Sequence, residues 1–159
     1  MGSIYLIRHG QASLGAKNYD VLSDMGIKQS ELLGQFAHSS GLKFDRSYSG
    51  EMQRQIDTGR HSLAHMPGSG SEILIEPAFI TEKNEVPGCE PWAAFVERVK
   101  QGLARVMEQA GRGENIAIFT SGGTITAALQ LITGMPATSA FELNWQIVNT
   151  SVSRLQYGR

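Results

Sequence analysis

The stretch Ile4-Tyr5-Leu6-Ile7-Arg8-His9-Gly10 is an apolar run that stops abruptly at an arginine, a histidine and a glycine. Its first four residues are continuous, apolar and rich in β-branched and aromatic side chains, which is typical of a strand covered on both faces. The pattern therefore predicts a central β-strand whose carboxyl end leads directly into Arg8 and His9.

Strands and helices alternate along the rest of the chain. Further strands are predicted at 44–48, 73–75, 116–119 and 148–155, and helices at 23–41, 51–66, 92–107 and 122–133. Ser23 is a suitable N-cap for the first helix. The alternation predicts one α/β domain over residues 1–159, with three layers, a mostly parallel sheet, helices on both faces, and the last strand at an edge.

In a parallel sheet the ligand crevice lies outside the carboxyl ends of the strands. Polar residues follow the first, second and fourth predicted strands, and a carboxylate-rich stretch follows the third. They are Arg8, His9, Arg54, Thr120, Ser121, Gly122, Glu82, Glu85 and Glu90. Paired guanidinium groups bind a phosphoryl dianion, and helix N-terminal amides add donors, so this edge is expected to hold a phosphate.

A histidine beside such a pocket can attack phosphorus through an unprotonated ring nitrogen when a backbone acceptor holds its other nitrogen. A carboxyl group can protonate the leaving alcohol and later take a proton from water. Because the arginines neutralise the phosphoryl charge, the chemistry requires neither a metal ion nor another cofactor.

Arg8-His9-Gly10, placed directly after the first strand, resembles the signature of the histidine phosphatase superfamily, the phosphoglycerate-mutase-like fold. Residues 48–54 with Thr58 resemble the family's element that carries a second phosphate-binding arginine. Residues 22–29 resemble its first helix, and residues 119–125 stand where its second histidine motif belongs. The resemblance covers nearly the whole chain in the same order.

The resemblance implies a role for each matching position. His9 is the expected nucleophile, and Arg8 and Arg54 are expected to bind the phosphoryl group. Glu85 best matches the region of the family's proton donor, with Glu82 and Glu90 as alternatives in the same stretch. Gly122 keeps the turn into the helix, so the anion-binding backbone is expected to be intact.

Two differences from the family's pattern bear on the expected activity. Ser121 stands where the family has its second histidine. Its hydroxyl is expected to contact the phosphate as a neutral donor or to cap the helix without touching a ligand, and the two roles can coexist. Losing a charged donor costs about 2.7–4 kcal/mol of transition-state stabilisation. The stretch 76–91 is also short where many relatives carry a lid, which predicts an open pocket and favours hydrolysis over mutase chemistry.

Composition limits the other function classes. The formal net charge is -1 and the basic residues form no run, so no nucleic-acid partner is expected. No apolar run approaches the roughly 18 residues of a membrane span, so no membrane partner is expected either. One cysteine and the lack of an export-signal pattern favour the cytoplasm. A homodimer through apolar residues near Trp145 stays open.

These observations favour a metal-independent phosphomonoesterase that acts through phosphohistidine on a phosphorylated small molecule or a phosphoprotein. One alternative is a phosphate- or phosphoprotein-binding module with weak or no catalysis, which Ser121 motivates. The other alternative is phosphoryl transfer of the phosphoglycerate mutase type.

Overall fold

The structure is a computed structural model that describes residues 1–80 and 90–158. In these ranges the elements occur in the order β1 (Gly2–Arg8), α1 (Asp24–Ser39), β2 (Arg46–Ser49), α2 (Gln53–Leu63), β3 (Leu74–Ile75), a 3-10 turn (Pro77–Phe79), α3 (Trp92–Gln109), β4 (Asn115–Thr120), α4 (Gly122–Thr133), α5 (Ala137–Asn144) and β5 (Val152–Tyr157). Across the described residues the strands form one sheet in the order β3-β2-β4-β1-β5. All neighbours are parallel except β5, which runs antiparallel to β1. The predicted α/β class is confirmed.

Most predicted elements are present with shifted ends. Ser23 is the N-cap of α1, because its Oγ accepts a hydrogen bond from the Gly26 amide at 3.0 Å. The last strand lies at an edge as expected, but it begins at Val152 rather than 148. Residues 148–151 form a turn instead, closed by a bond from the Ser151 amide to the Val148 carbonyl. Helix α5 was not predicted, because it is short and Ala140 is its one buried residue.

Alternate residues of β4 face opposite sides of the sheet and separate two apolar clusters. Ile116 and Ile118 pack in the cluster beneath α3 and α4, whereas Ala117 and Phe119 pack in the one beneath α1 and α2. All four side chains are fully buried. The apolar stripe of α3 is part of the first cluster, as predicted, with Phe95 and Val99 completely enclosed. The predicted helices therefore cover both faces of the sheet.

None of the helices in the described part of the chain combines the length and apolar character needed to cross a bilayer.

Helices α1 and α2 approach each other closely at Gly34. A Cβ atom at this position would lie 2.1 Å from the carbonyl oxygen of Ser62 on α2, far inside van der Waals contact. The Ser62 hydroxyl also donates to the carbonyl of Ser30 on α1 at 3.0 Å. This backbone contact fixes α2 against α1 and thereby places Arg54, at the start of α2, relative to the sheet.

Replacing Gly34 with alanine tests this contact. Helix propensity alone predicts that G34A stabilises α1 by about 1 kcal/mol. The clash with the Ser62 carbonyl predicts the opposite sign, a loss of about 1–3 kcal/mol in the free energy of unfolding. Urea denaturation would measure the difference, with Gln35→Ala on the exposed face of the same helix as the control. Stabilisation by G34A would contradict the close approach.

Candidate active site

Parallel pairing of β1 with β4 brings the predicted site residues to one edge of the sheet. The register places Arg8 opposite Thr120, the last residues of their strands. Immediately beyond them, the His9 amide donates to the Thr120 carbonyl at 2.9 Å. His9 and Ser121 therefore leave the sheet side by side at its carboxyl edge, where the sequence predicts the ligand crevice.

The His9 ring is held in one tautomer. Its Nδ1 atom lies 2.7 Å from the Gly10 carbonyl oxygen, which can only accept, so Nδ1 carries the proton and Nε2 is unprotonated. The residue is only 6 % exposed. Burial, opposed by the Gly10 hydrogen bond and reinforced by the charges of Arg54 and Arg8, lowers the pKa of His9 to about 4. Near neutral pH the ring is thus uncharged and able to act as a nucleophile.

The Gly10 backbone anchors the loop that carries this histidine. Its amide donates to the Thr58 hydroxyl at 2.9 Å, and that hydroxyl donates to the Arg54 carbonyl at 2.7 Å. A Cβ atom on Gly10 would lie 2.5 Å from the Gly26 carbonyl oxygen in α1. Glycine is therefore required at position 10, because the loop contacts the start of α1 through its backbone.

Arg54 lies directly against the unprotonated Nε2 atom of His9. Its Nε donates to His9 Nε2 at 3.3 Å, and its Nη1 donates to the Asp20 carboxylate at 2.9 Å. The Tyr19 ring lies 5.3 Å from the guanidinium carbon, within the range of a cation–π contact. The arginine is 7 % exposed, so its planar donor group is fixed beside His9.

Asp20 is a site residue that sequence analysis missed. Besides Arg54 Nη1, its carboxylate accepts hydrogen bonds from the backbone amides of Gln53 at 2.8 Å and Arg54 at 3.3 Å. It therefore caps the N-terminus of α2 and orients the arginine that this helix carries. Asp20 lies in the irregular stretch between β1 and α1, and the helix that it caps, α2, begins more than thirty residues later. No local sequence pattern connects the two.

The Arg8 guanidinium lies next to the N-terminus of α4. Arg8 Nη1 donates to the Ile147 carbonyl, while its Nε is buried and has no hydrogen-bond partner among the described residues. A Cβ atom on Gly122, the first residue of α4, would lie 3.7 Å from the Arg8 Nε and Cζ atoms. Burial lowers the pKa of Arg8. A buried cationic donor next to helix N-terminal amides is suited to binding an anion.

Ser121 occupies the N-cap position of α4 without capping it. Its side chain makes no hydrogen bond to the helix amides. Instead, its Oγ accepts a hydrogen bond from Gln55 Nε2 at 2.9 Å, and the residue is 4 % exposed. The expectation that Ser121 serves only as a helix cap is therefore wrong for its side chain.

The loop before β5 supports the Arg8-His9 backbone from outside. Asn149 Nδ2 donates to the His9 carbonyl at 3.0 Å, and the Thr150 amide donates to the Arg8 carbonyl at 3.0 Å. Thr150 has a φ of 59°, a left-handed conformation that is unusual for a β-branched residue. Sequence analysis missed both residues, because they precede an edge strand and belong to no motif.

Of the three candidate proton donors, the structure describes Glu90 alone. Glu85 and Glu82 lie outside the described residues, so their assignment stays a prediction. Glu90 forms a paired salt bridge with Arg98, with N–O distances of 3.0 and 2.8 Å. Arg98 in turn donates to the Ala78 carbonyl at 2.6 Å, so Glu90 belongs to an ion pair that joins α3 to the 3-10 turn. Over the described ranges no group of three or more His, Cys, Asp and Glu side chains is placed to share a metal ion.

The family of the chain follows from comparison with known proteins. A model of the histidine phosphatase superfamily (branch 1) matches residues 4–81 and 76–159. The chain therefore belongs to this superfamily, and the resemblance inferred from its motifs is confirmed.

Individual relatives include phosphatases and mutases. The chain is 38 % identical over 77 residues to the mitochondrial serine/threonine-protein phosphatase Pgam5 of Caenorhabditis briggsae, a match covering 46 % of this chain and 27 % of the relative. It is 32 % identical over 88 residues to the 2,3-bisphosphoglycerate-dependent phosphoglycerate mutase of Bartonella henselae, covering 52 % of this chain and 42 % of the relative. The matches thus span less than half the length of these two relatives.

Solved structures share the fold. The structure of YhfR from Bacillus stearothermophilus superimposes with a TM-score of 0.80 at 14 % identity, covering 99 % of this chain and 92 % of the other. Phosphoglycerate mutase from Bacillus anthracis gives a TM-score of 0.77 at 16 % identity, covering 96 % and 86 %. The predicted phosphoglycerate-mutase-like fold is confirmed.

Replacing Asp20 with alanine tests its hold on Arg54. D20A removes the carboxylate partner of the arginine and the cap of α2, so we expect vanadate affinity to fall about tenfold and the free energy of unfolding to fall by about 1 kcal/mol. Isothermal titration calorimetry and urea denaturation would measure the two effects. Asp24→Ala, in the first turn of α1, is the charge-matched control. Unchanged vanadate affinity in D20A would contradict the assigned role.

The protonation state of His9 can be measured directly. Side-chain NMR, with His9→Gln used for assignment, is expected to show the Nδ1–H tautomer and a titration midpoint near pH 4. Because the folded-state pKa lies below the unfolded value of about 6.5, the unfolded chain takes up the proton first, and stability is lost as pH falls from about 6.5 to 4. His9→Gln should remove that part of the pH dependence. A midpoint near 6.5 would show that burial does not control this ring.

Proposed function

We propose that this chain is a metal-independent phosphomonoesterase that forms a phosphohistidine at His9. The observation that carries the proposal is the His9 ring itself, whose Nδ1–H donates to the Gly10 carbonyl while Nε2 faces the Arg54 guanidinium. A neutral imidazole with one nitrogen anchored and the other beside a phosphate-binding cation is the arrangement that nucleophilic attack on phosphorus needs. Membership of the histidine phosphatase superfamily supports the same mechanism.

In the first step the Nε2 lone pair of His9 attacks phosphorus, and the bond from phosphorus to the ester oxygen breaks. The Nε–H of Arg54, which donates to Nε2 in this structure, turns its hydrogen bond to a phosphoryl oxygen. Arg8 Nε and the amides at the start of α4 bind the remaining charge. The leaving alkoxide takes a proton from a carboxyl group, for which Glu85 is proposed by its match to the family's motif.

In the second step a water molecule attacks the phosphohistidine. The same carboxylate takes a proton from this water, the new oxygen–phosphorus bond forms, and the phosphorus–nitrogen bond breaks. The electron pair of that bond returns to Nε2, so His9 is regenerated in its Nδ1–H tautomer. The products are the alcohol and inorganic phosphate, and no metal ion enters either step.

Hydrolysis is favoured over mutase chemistry by the short stretch 76–91. A mutase must keep water from its phosphoenzyme until the phosphoryl group returns to a sugar acid, and a short connection provides little cover. Relatives named as a serine/threonine-protein phosphatase and a phosphoserine phosphatase make phosphoproteins and small phosphomonoesters the two substrate classes to test.

Ser121 favours a second candidate, a module that binds phosphate or phosphoprotein with little turnover. A serine hydroxyl donates a hydrogen bond but carries no charge, so it stabilises the ground-state anion better than the additional charge of the transition state. Arg8 and Arg54 would serve such a module as well as an enzyme.

Hydrolysis of an aryl phosphate with EDTA present tests the enzyme proposal. We expect His9→Ala to lower kcat by at least about a thousandfold, because removing a nucleophile eliminates the covalent route. His38→Ala, an exposed histidine on α1, is the matched control and should keep full activity. Acid-labile incorporation of labelled phosphate into the wild type alone would identify the intermediate.

Other outcomes separate the candidates. Equal activity in the wild type and His9→Ala would exclude His9 as the nucleophile. No turnover on a wide panel of phosphomonoesters, together with vanadate binding that is lost in Arg54→Ala, would support the binding module.

A further inference from the structure

Gln55 follows Arg54 on α2, but its side chain lies in the interior and is completely buried. Its Nε2 donates to Ser121 Oγ at 2.9 Å and to the Phe79 carbonyl at 3.1 Å, and its Oε1 accepts from the Met52 amide at 3.3 Å. A carbonyl can only accept and an amide N–H can only donate, so these two backbone partners fix which end of the Gln55 amide carries the nitrogen.

The fixed amide determines what the Ser121 hydroxyl can do. Since Gln55 approaches Ser121 with an N–H, the Ser121 oxygen must accept, and its own O–H must point elsewhere. The Ser121 oxygen accepts no hydrogen bond from the α4 amides, and its O–H has no acceptor among the described residues. Ser121 directly follows Thr120, whose carbonyl accepts a hydrogen bond from the His9 amide. The Ser121 hydroxyl therefore lies at the same edge of the sheet as His9 and Arg8.

The surrounding backbone is shaped to hold this glutamine. A Cβ atom on Gly50 would lie 2.1 Å from Gln55 Oε1 and 2.5 Å from the Phe79 carbonyl oxygen. The Phe79 carbonyl also accepts from the Thr120 hydroxyl at 2.7 Å, which ties the same acceptor to the end of β4. Gly50 and Phe79 thus enclose the Gln55 amide, and Thr120 ties the Phe79 carbonyl to the end of β4.

We propose that Gln55 is a positioning residue that aims the Ser121 hydroxyl as a hydrogen-bond donor at a phosphoryl oxygen. The proposal rests on the proposed function of the site. In this arrangement the buried Gln55-Ser121 pair supplies a neutral, oriented donor at the position where the family resemblance expects a histidine. A donor whose orientation is set before the ligand binds needs no reorganisation at the moment of reaction.

A double-mutant cycle between the two residues tests the proposal. Gln55→Met keeps the length of the side chain but has no N–H donor. We expect it to lower kcat with an aryl phosphate, and the affinity for vanadate, by about ten- to hundredfold when Ser121 is present. In the Ser121→Ala background, where there is no hydroxyl to aim, the same change should have less than about a twofold effect on either quantity.

A matched control separates orientation of the hydroxyl from general stability. Gln109→Met removes another glutamine that is bound to a hydroxyl, that of Tyr48 at 2.9 Å, and it should leave kcat and vanadate affinity unchanged. Urea denaturation of all variants measures the stability loss from Gln55→Met, which is expected to be larger with Ser121 present, because the buried hydrogen bond to Ser121 is lost only in that background. If Gln55→Met does not fold, Gln55→Leu replaces it. Leucine has no N–H donor either, so the same loss of rate is expected only with Ser121 present.

Equal losses of rate and vanadate affinity in the wild-type and Ser121→Ala backgrounds would overturn the proposal and leave Gln55 a purely structural residue, as would no loss in either background. Failure of the proposed function gives a different result, in which the wild type itself lacks His9-dependent turnover. In that case the vanadate affinities of the four proteins in the cycle decide the role of Gln55 without the rate measurements. Absence of vanadate binding to the wild type would overturn both proposals.

Discussion

The parallel pairing of β1 with β4 is the constraint on which the site depends. The ladder runs from Ser3 opposite Asn115 to Arg8 opposite Thr120, and the apolar residues of both strands are buried apart from Tyr5, which is half-buried. A slip of one residue would turn every side chain of β1 to the other face of the sheet, so the apolar clusters on the two sides fix the register. Once the register is fixed, the residues after both strands must emerge together at one edge.

At that edge the structure keeps a histidine neutral among positive charges. Burial and the nearby guanidinium groups of Arg54 and Arg8 all disfavour the imidazolium form. The Gly10 carbonyl, by contrast, accepts from Nδ1 and leaves Nε2 unprotonated. Asp20 partly balances the charge of Arg54 and fixes its direction. The site therefore combines an uncharged imidazole with cationic donors, a combination that burial makes possible.

The site is held in place largely by close contacts of backbone atoms. Gly10 contacts the start of α1, Gly34 lets α1 approach α2, and Gly50 leaves room for the Gln55 amide. In each case a side chain on the glycine would meet a neighbouring carbonyl oxygen or amide at less than 3 Å. Thr150, with its left-handed φ, holds the outer loop against the Arg8 backbone. Close backbone contacts are stiffer than side-chain packing, which suits a site whose donors must stay aligned.

The sequence by itself determined the order of β1 to β5 and of α1 to α4, the Ser23 cap and the edge at which the polar residues gather, because periodicity, capping and strand ends are local properties. It did not indicate α5. The motif resemblance added the expected roles of His9, Arg8 and Arg54. Only the tertiary structure revealed the hydrogen bonds that join Asp20 to Arg54, Gln55 to Ser121 and Asn149 to the His9 carbonyl. These partners lie 34, 66 and 140 residues apart in the chain. It also decided that Ser121 accepts a hydrogen bond from α2 instead of capping α4, because the competing donor comes from a helix that local sequence does not place.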